Sequence, residues 1–263
     1  LYLLGFYLLL LSLKVDYRLS AVGAIAFAFS SYFFIIIMAG HMTKAHAIAY
    51  VPMVVAAVLY TYRGRMLLGG VLTALTVALE LYANHLQITY YLVLVLILIG
   101  VVQFVKDLKA NNLTSFAKRS GVLVLAALLA SGTAVTRLST TMEYGTESTR
   151  GKSELTTDLD NKTSGLDKDY ATDWSYGIAE SFTLLIPNFY GGSSSNSVLT
   201  LEDESETLDF LKRFKNKQLA NALANYKSSS YWGDQPFTSG PTYAGSIVIF
   251  LFVLGLFFVK SEI

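Results

Sequence analysis

Long apolar runs separated by short polar segments dominate this chain. About 20 apolar residues are needed to cross the roughly 30 Å hydrocarbon core of a bilayer. Seven runs reach that length or come near it: 1–13, 19–39, 46–62, 66–85, 87–105, 120–136 and 242–259. The pattern predicts an all-α integral membrane protein, a polytopic helix bundle with about seven transmembrane helices. Because the first run is cut short by the start of the chain, we expect the sequence to be an internal piece of a longer protein.

Basic residues occupy alternate gaps between these runs. They are Lys14 and Arg18, then Arg63 and Arg65, then Lys106, Lys109, Lys118 and Arg119, and finally Lys260. Lys and Arg are retained on the cytoplasmic side of a membrane. The pattern therefore predicts that segments 14–18, 63–65, 106–119 and 260–263 are cytoplasmic. The remaining gaps are then extracytoplasmic, namely 40–45, 84–88 and 137–241.

The chain divides into three predicted regions. Residues 1–136 form a bundle of six transmembrane helices, 137–241 form a long extracytoplasmic loop region, and 242–263 hold the last transmembrane helix and a cytoplasmic end. Within the loop region, apolar residues between 202 and 227 recur at the spacing of an amphipathic helix. That helix would lie on the outer membrane surface or cap the loop region. Residues 174–190 are apolar again, which favours packing on the bundle or contact with the lipid surface.

Composition excludes several kinds of chemistry. The chain contains no cysteine, so disulfides, thiolate catalysis and cysteine-ligated zinc are excluded. It is 53% hydrophobic with a net charge of +1. No phosphate-binding loop, dinucleotide-binding glycine motif or nucleophile elbow is present. A nucleic-acid partner is disfavoured, because the basic residues are dispersed and form no patch with aromatic residues.

Glu80 is the most informative single residue. At 1.5 Å per residue from Met66 it lies roughly 21 Å along its helix, within the predicted outer leaflet. An ionisable side chain at such a position is a candidate functional site, although a hydrogen bond to a neighbouring helix would also explain it. Asn84 and Gln87 follow at the fourth and seventh positions, so one helix face would carry all three. His85 would point about 140° away from Glu80 unless the helix unwinds near Asn84.

His41, Lys44 and His46 form a second cluster in an extracytoplasmic gap. Lys44 offers a point charge suited to phosphate, and either histidine could donate a hydrogen bond or transfer a proton. Anchoring of these side chains at the membrane interface is the alternative. A divalent metal held by these histidines with His85 and Glu80 is chemically feasible. The spacing matches no zinc motif, so we assign no metal ligand and no firm cofactor.

Two aromatic motifs stand out in the loop region, at 174–192 and 231–243. Aromatic rings beside amide and carboxylate groups are typical of sugar sites, which makes Glu180, Trp232, Asp234 and Gln235 candidate sugar or acceptor ligands. An aromatic belt at the membrane interface is the alternative for Trp232. We rank Glu180 below Glu80, because a surface carboxylate needs less explanation.

Four segments resemble one family. "GAIAFAFSSYFFIIIMAGHMTKAHAIAY", "ALELYANHLQITYYL", "SYGIAESFTLLIPNFYGG" and "YWGDQPFTSGPTYAG" are similar to YfhO-like bacterial membrane proteins of the Bacteroidetes type. That family is similar to the GT-C superfamily of polytopic glycosyltransferases. The resemblance implies a polyprenyl-phosphate sugar donor and sugar transfer on the outer side of the bacterial cytoplasmic (inner) membrane. It also implies a main catalytic carboxylate on a first outer loop, which is not in this sequence.

Three functions follow as hypotheses. The first is a membrane glycosyltransferase whose donor is a polyprenyl-phosphate-linked sugar. Its catalytic candidates are Glu80, His41 and His46, and its phosphate or donor ligands are Lys44, His85, Asn84 and Gln87. The second is a lipid or solute transporter or flippase that uses Glu80 as a proton site. The third is a non-catalytic membrane subunit that docks a protein partner through 137–241.

Overall fold

The computed structural model describes residues 1–148, 172–194, 230–238 and 240–258, together with Arg213, Lys217 and Gln218. The amphipathic helix predicted over 202–227 lies outside the described residues, apart from those three. Regular structure in the described part is helical, with an isolated antiparallel bridge between Gly191 and Tyr231. The prediction of an all-helical chain is confirmed there.

The helices follow one another closely along the first 148 residues. They are α1 (Tyr2–Ser12), α2 (Tyr17–Ala28), α3 (Ser31–Met38), α4 (Met42–Tyr62), α5 (Met66–Tyr82), α6 (Leu86–Lys109), α7 (Leu113–Thr133) and α8 (Val135–Thr146). A 3₁₀ helix, Ala179–Leu184, and a final helix α9, Ser246–Phe258, come later. The described residues belong to two compact units. The first unit holds 1–29 and 40–148, and the second holds 30–39, 172–194, 230–238 and 240–258.

The first unit is a bundle in which α4 to α7 alternate in direction. Short connections join these helices, so neighbours run antiparallel. Its buried apolar centre consists of Val54, Val58, Tyr62 and Leu92. Helix α5 comes close to α7 at Gly70, where an added Cβ would lie 2.6 Å from Val122 Cγ1. Glycine lets the two helices approach closely there, because an added Cβ would displace the Val122 side chain.

The antiparallel path separates the polar gaps into two groups. Segments 63–65 and 106–119, with their basic residues, lie at one end of the first unit. The beginning of α4, the α5–α6 turn and the beginning of α8 lie at the other end. The candidate residues of both predicted clusters, at 41–46 and 80–87, therefore share one end of the bundle.

Four helical segments are long and apolar enough to cross a membrane: Tyr17–Met38, Met42–Tyr62, Leu86–Lys109 and Leu113–Thr133. They support a membrane protein. Three further helices are apolar but shorter, with 11, 17 and 13 residues: Tyr2–Ser12, Met66–Tyr82 and Ser246–Phe258. All seven predicted runs are thus apolar helices, while a total of seven membrane spans stays a prediction.

The span predicted over 19–39 corresponds to the candidate span Tyr17–Met38, but its helix is interrupted, because α2 ends at Ala28 and α3 begins at Ser31. Serine competes with backbone hydrogen bonding inside helices and favours their first positions. Ser30 precedes α3 in an extended conformation, and the Ser31 hydroxyl binds the Tyr243 backbone, donating to its carbonyl and accepting from its amide. Two adjacent serines thus mark a helix start in the middle of an apolar run.

Three other boundaries differ from the prediction. Helix α4 begins at Met42, so Lys44 lies within its first turn and not in the predicted gap over 40–45, while His46 lies in the helix as predicted. Helix α7 covers Leu113–Thr133 in place of 120–136. Helix α8 follows it directly, in residues predicted to begin the extracytoplasmic loop. Good helix formers such as Ala45 and Ala47 explain the early start of α4.

Candidate functional site

Glu80 lies in the last turn of α5 and is completely buried. The Thr89 hydroxyl, on α6, lies 3.0 Å from Oε1 and 3.1 Å from Oε2 of Glu80. One hydroxyl proton is thus shared between the two carboxylate oxygens. Burial of this acid among apolar helices, with a single hydroxyl at both oxygens, keeps Glu80 a candidate functional residue.

The chain reverses direction immediately after Glu80. Helix α5 ends at Tyr82, and Asn84 adopts a left-handed conformation with φ of 55°, which asparagine tolerates better than most residues. Gln87 belongs to the next helix, where its amide donates to the Tyr91 hydroxyl at 3.0 Å. The prediction that Glu80, Asn84 and Gln87 share one helix face is therefore wrong, since a turn separates them. His85 is half-buried and precedes α6.

Helix α8 is attached to this turn through Arg137. The guanidinium group lies 4.2 Å from the centre of the Tyr82 ring and donates a hydrogen bond to the Tyr82 carbonyl oxygen. That carbonyl is one of those left without a helical partner at the end of α5. Further along α8, the Thr141 hydroxyl approaches Asn84 Oδ1 at 3.5 Å. These contacts place the polar side of α8 beside the α5–α6 turn.

An open groove of about 720 Å³ lies between the turn and α8. Its lining is Asn84, Thr140, Thr141, Glu143, Tyr144 and Glu147. We refer to it as the α8 groove. It offers an amide, two hydroxyls, two carboxylates and a tyrosine ring, which together can hold a ligand rich in hydroxyl groups. Its volume falls within the range of about 300–1,000 Å³ usual for small-molecule sites.

Sequence reasoning missed most of this groove. Of its lining residues only Asn84 was predicted as a site residue. Glu143, in the last turn of α8, and Glu147, directly after its end, are four residues apart, which is the spacing of one helical turn, and both line the groove. That signal was present, but it fell in a stretch predicted to be loop. Recognising a helix beyond residue 136 was the missing step.

The predicted cluster at the start of α4 is exposed. His41 directly precedes the helix, His46 follows one turn later, and both are solvent-accessible, while Lys44 is half-buried. Ala45 and Ala47, between and beside them, are buried against the bundle. These three polar residues and Glu80 lie at the same end of the unit as the α8 groove but do not line it.

The same unit contains an apolar cavity of about 320 Å³ between α4, α5, α6 and α7. Tyr62, Thr73, Gly100 and Ser120 are among its lining residues. The Tyr62 and Ser120 hydroxyls are 3.2 Å apart. The Thr73 hydroxyl is buried and has no hydrogen-bond partner among the residues that the structure describes. The cavity can therefore accept an apolar chain and offers one unused hydroxyl.

The second unit joins the two aromatic motifs through Glu180. Tyr231 donates to Glu180 Oε1 at 2.7 Å, and the Gly177 amide donates to Oε2 at 3.3 Å. Glu180 is only 1% exposed, so its description as a surface carboxylate is wrong. Burial and the hydrogen bond to Glu180 raise the pKa of Tyr231 above its ordinary value. The Tyr231 hydroxyl oxygen also accepts a hydrogen bond from the backbone amide of Gln235 at 3.2 Å.

The remaining predicted sugar ligands surround this buried pair. The Gln235 side-chain amide donates to the Trp174 carbonyl at 2.8 Å. Trp232 and Asp234 are exposed, and the Asp234 carboxylate lies beside Gly177, 3.6 Å from where a Cβ would stand. The structure thus brings Glu180 and Gln235 into one network and leaves Trp232 and Asp234 free to contact a ligand. Glu80 and Glu180 belong to different units.

Within the described residues, no group of three or more His, Cys, Asp or Glu side chains is arranged to hold a metal ion. Comparisons of the chain with protein-family models, with curated proteins and with solved structures found no match. The family resemblance drawn from the four segments therefore stays a prediction.

Proposed function

We propose that this protein is a membrane glycosyltransferase-like protein that takes a sugar from a polyprenyl-phosphate donor on the extracytoplasmic side of the bacterial inner membrane. The observation that carries the proposal is the α8 groove. It lies at the end of the bundle that the basic residues predict to be extracytoplasmic, and its lining matches a hydroxyl-rich ligand. Glu80, four residues before Asn84, belongs to the same end of the unit.

The reaction needs a base for the acceptor and a cation for the leaving phosphate. The acceptor hydroxyl oxygen forms a bond to the anomeric carbon, and its proton passes to a carboxylate of the groove, Glu143 or Glu147. The bond between that carbon and the phosphate oxygen breaks, and its electron pair leaves with the phosphate. Lys44, with His41 or His46, would stabilise this phosphate by charge and hydrogen bonding.

The apolar cavity between α4 and α7 suits the donor's isoprenoid chain. Its walls are largely aliphatic and it opens to the surface of the unit, so an apolar chain can enter it. A membrane-embedded cavity next to the bundle core would hold part of the chain while the phosphate remains at the extracytoplasmic end.

The test is sugar transfer in proteoliposomes that contain the purified protein and a radiolabelled polyprenyl-phosphate hexose. We expect Glu143→Gln or Glu147→Gln to lower the rate about 10²–10⁴-fold, the usual contribution of a general base. Asp173→Asn, which changes an exposed acid outside the groove, is the matched control and should leave the rate unchanged. Full activity in both groove variants would remove the groove from the mechanism, and a wild-type protein that consumes no donor would refute the proposal.

A transporter or flippase is the second candidate, favoured by Glu80 alone. A fully buried acid with one hydroxyl at both oxygens is the kind of group that takes up and releases a proton within a membrane. In the same proteoliposomes, flux of a labelled lipid without sugar release would favour this function. Glu80→Gln should then abolish flux, whereas the groove variants should not.

A further inference from the structure

One segment of the second unit, 178–189, buries polar side chains and exposes apolar ones. In 178–189, Glu180 and Thr183 are buried, while Ile178 is 95% exposed and Phe182 is 53% exposed. Residues three positions apart lie on the same side of a 3₁₀ helix. Glu180 and Thr183 therefore share its inner side. Leu184, Ile186 and Phe189 are exposed as well. A segment in contact with water would show the opposite arrangement.

The exposed surface of this segment carries no charge. Between Trp174 and Gly192 the sequence contains one acidic residue, Glu180, and no Lys or Arg. Glu180 is buried and hydrogen-bonded, so the outward side presents apolar and aromatic groups together with the uncharged Ser181 and Asn188. Charged side chains are costly in contact with lipid, whereas aromatic and aliphatic residues are favoured at the membrane interface.

A hydrogen bond joins the segment to the start of the apolar helix α9. The Ala244 amide donates to the Leu184 carbonyl at 3.1 Å, two residues before α9 begins at Ser246. Every residue of α9 is at least partly accessible, and the helix consists of apolar residues apart from Ser246 and Gly255. A helix of this composition needs an apolar medium around it. The surface of 178–189 therefore continues from the end of a lipid-facing helix.

We propose that 178–189 is a membrane-interface surface whose exposed side chains lie among phospholipid headgroups and the upper acyl chains. This contact holds the second unit against the bilayer and keeps the Glu180–Tyr231 network at the membrane surface. The inference goes beyond the proposed function and does not depend on sugar transfer. A protein partner and a second copy of this chain are the other conceivable occupants, and the test below separates them from lipid.

The absence of cysteine allows a site-specific test with the full chain. Ile178→Cys and Phe182→Cys would be labelled with a small fluorophore in phosphatidylcholine vesicles, with Asp173→Cys as the control. Asp173 is exposed and lies in the same unit. Two quenchers are compared, iodide in the water and a nitroxide attached to the lipid acyl chain. An unchanged tryptophan emission spectrum shows that each variant is folded, because both tryptophans, Trp174 and Trp232, lie in this unit.

We expect the lipid nitroxide to quench labels at 178 and 182 several-fold more than the label at 173, and iodide to show the reverse order. Iodide quenching at 178 and 182 equal to that at 173 would overturn the inference. Protection of both labels from both quenchers would also overturn it, since protein would then cover the surface. Neither result would bear on the α8 groove, so this inference and the proposed function can fail separately.

Discussion

Two buried glutamates, one in each unit, are held in different ways. Glu180 has two separate donors, the Tyr231 hydroxyl and the Gly177 amide, one at each carboxylate oxygen. Glu80 has the Thr89 hydroxyl at both oxygens, and one hydroxyl carries one proton. Both side chains are almost or completely inaccessible to water. The difference lies in the number of donors, not in the extent of burial.

This difference assigns the two acids different roles. Glu180 and Tyr231 are 51 residues apart, so their hydrogen bond closes a long loop and fixes both aromatic motifs. Thr89 is nine residues from Glu80, on the helix that directly follows, and the contact adds little to the path of the chain. Buried polar groups with a donor at each oxygen stabilise and specify structure. Among the residues that the structure describes, Glu80 has one donor for its two oxygens, so it keeps the capacity to bind a ligand or to exchange a proton. Stability should therefore depend strongly on Glu180 and weakly on Glu80.

The largest effect is expected for Glu180→Ala. The substitution leaves the Tyr231 hydroxyl and the Gly177 amide without their acceptor and creates a cavity, so we expect the second unit to lose about 3 kcal/mol of stability. Denaturant unfolding followed by tryptophan fluorescence measures this directly, because Trp174 and Trp232 both belong to the second unit. Asp173→Ala is the control. A loss below about 1 kcal/mol would contradict a structural role for Glu180.

A smaller effect is expected for Tyr231→Phe. The ring and its packing remain, but Glu180 Oε1 loses a donor and the Gln235 amide loses an acceptor. We expect a loss of about 1.5 kcal/mol in the same fluorescence experiment, because a buried carboxyl oxygen and a partly buried amide lose their partner. Tyr176→Phe is the matched control, since its hydroxyl bonds Thr242 in an exposed position. Equal losses of stability in the two variants would show that the hydrogen bond to Glu180 stabilises the unit no more than an exposed tyrosine hydrogen bond does.

The helices were predictable because their signal is local. Each of the seven apolar runs corresponds to apolar helical structure, and the alternation of basic gaps agrees with the antiparallel path of α4 to α7. Errors arose where two local signals competed. The apolar run over 19–39 hides the helix start at Ser31, and the helix face predicted for Glu80, Asn84 and Gln87 ignored the turn that the predicted gap over 84–88 requires.

The sites were harder to predict, because burial depends on distant residues. Nothing near Glu180 in the sequence indicates that Tyr231 covers it, so a buried acid was interpreted as a surface acid. The α8 groove depends on Arg137 reaching the end of α5, a contact between residues 55 positions apart. Glu80 was found because the residue itself is out of place in an apolar run, which requires no knowledge of its partners.

The smallest effect is expected for Glu80→Gln. The amide retains an oxygen that can accept from Thr89 and has a nitrogen that can donate to the Thr89 oxygen, so the first unit should change by no more than about 0.5 kcal/mol. Because the tryptophans lie elsewhere, the readout is the reactivity of a cysteine introduced at Ala130, which is 1% exposed in α7. Thr89→Val, which removes the donor, should cost about 1 kcal/mol by the same measure. The opposite outcome would be a loss of stability in Glu80→Gln as large as the loss in Glu180→Ala. Both glutamates would then be structural, and Glu80 could no longer be argued to exchange a proton or bind a substrate.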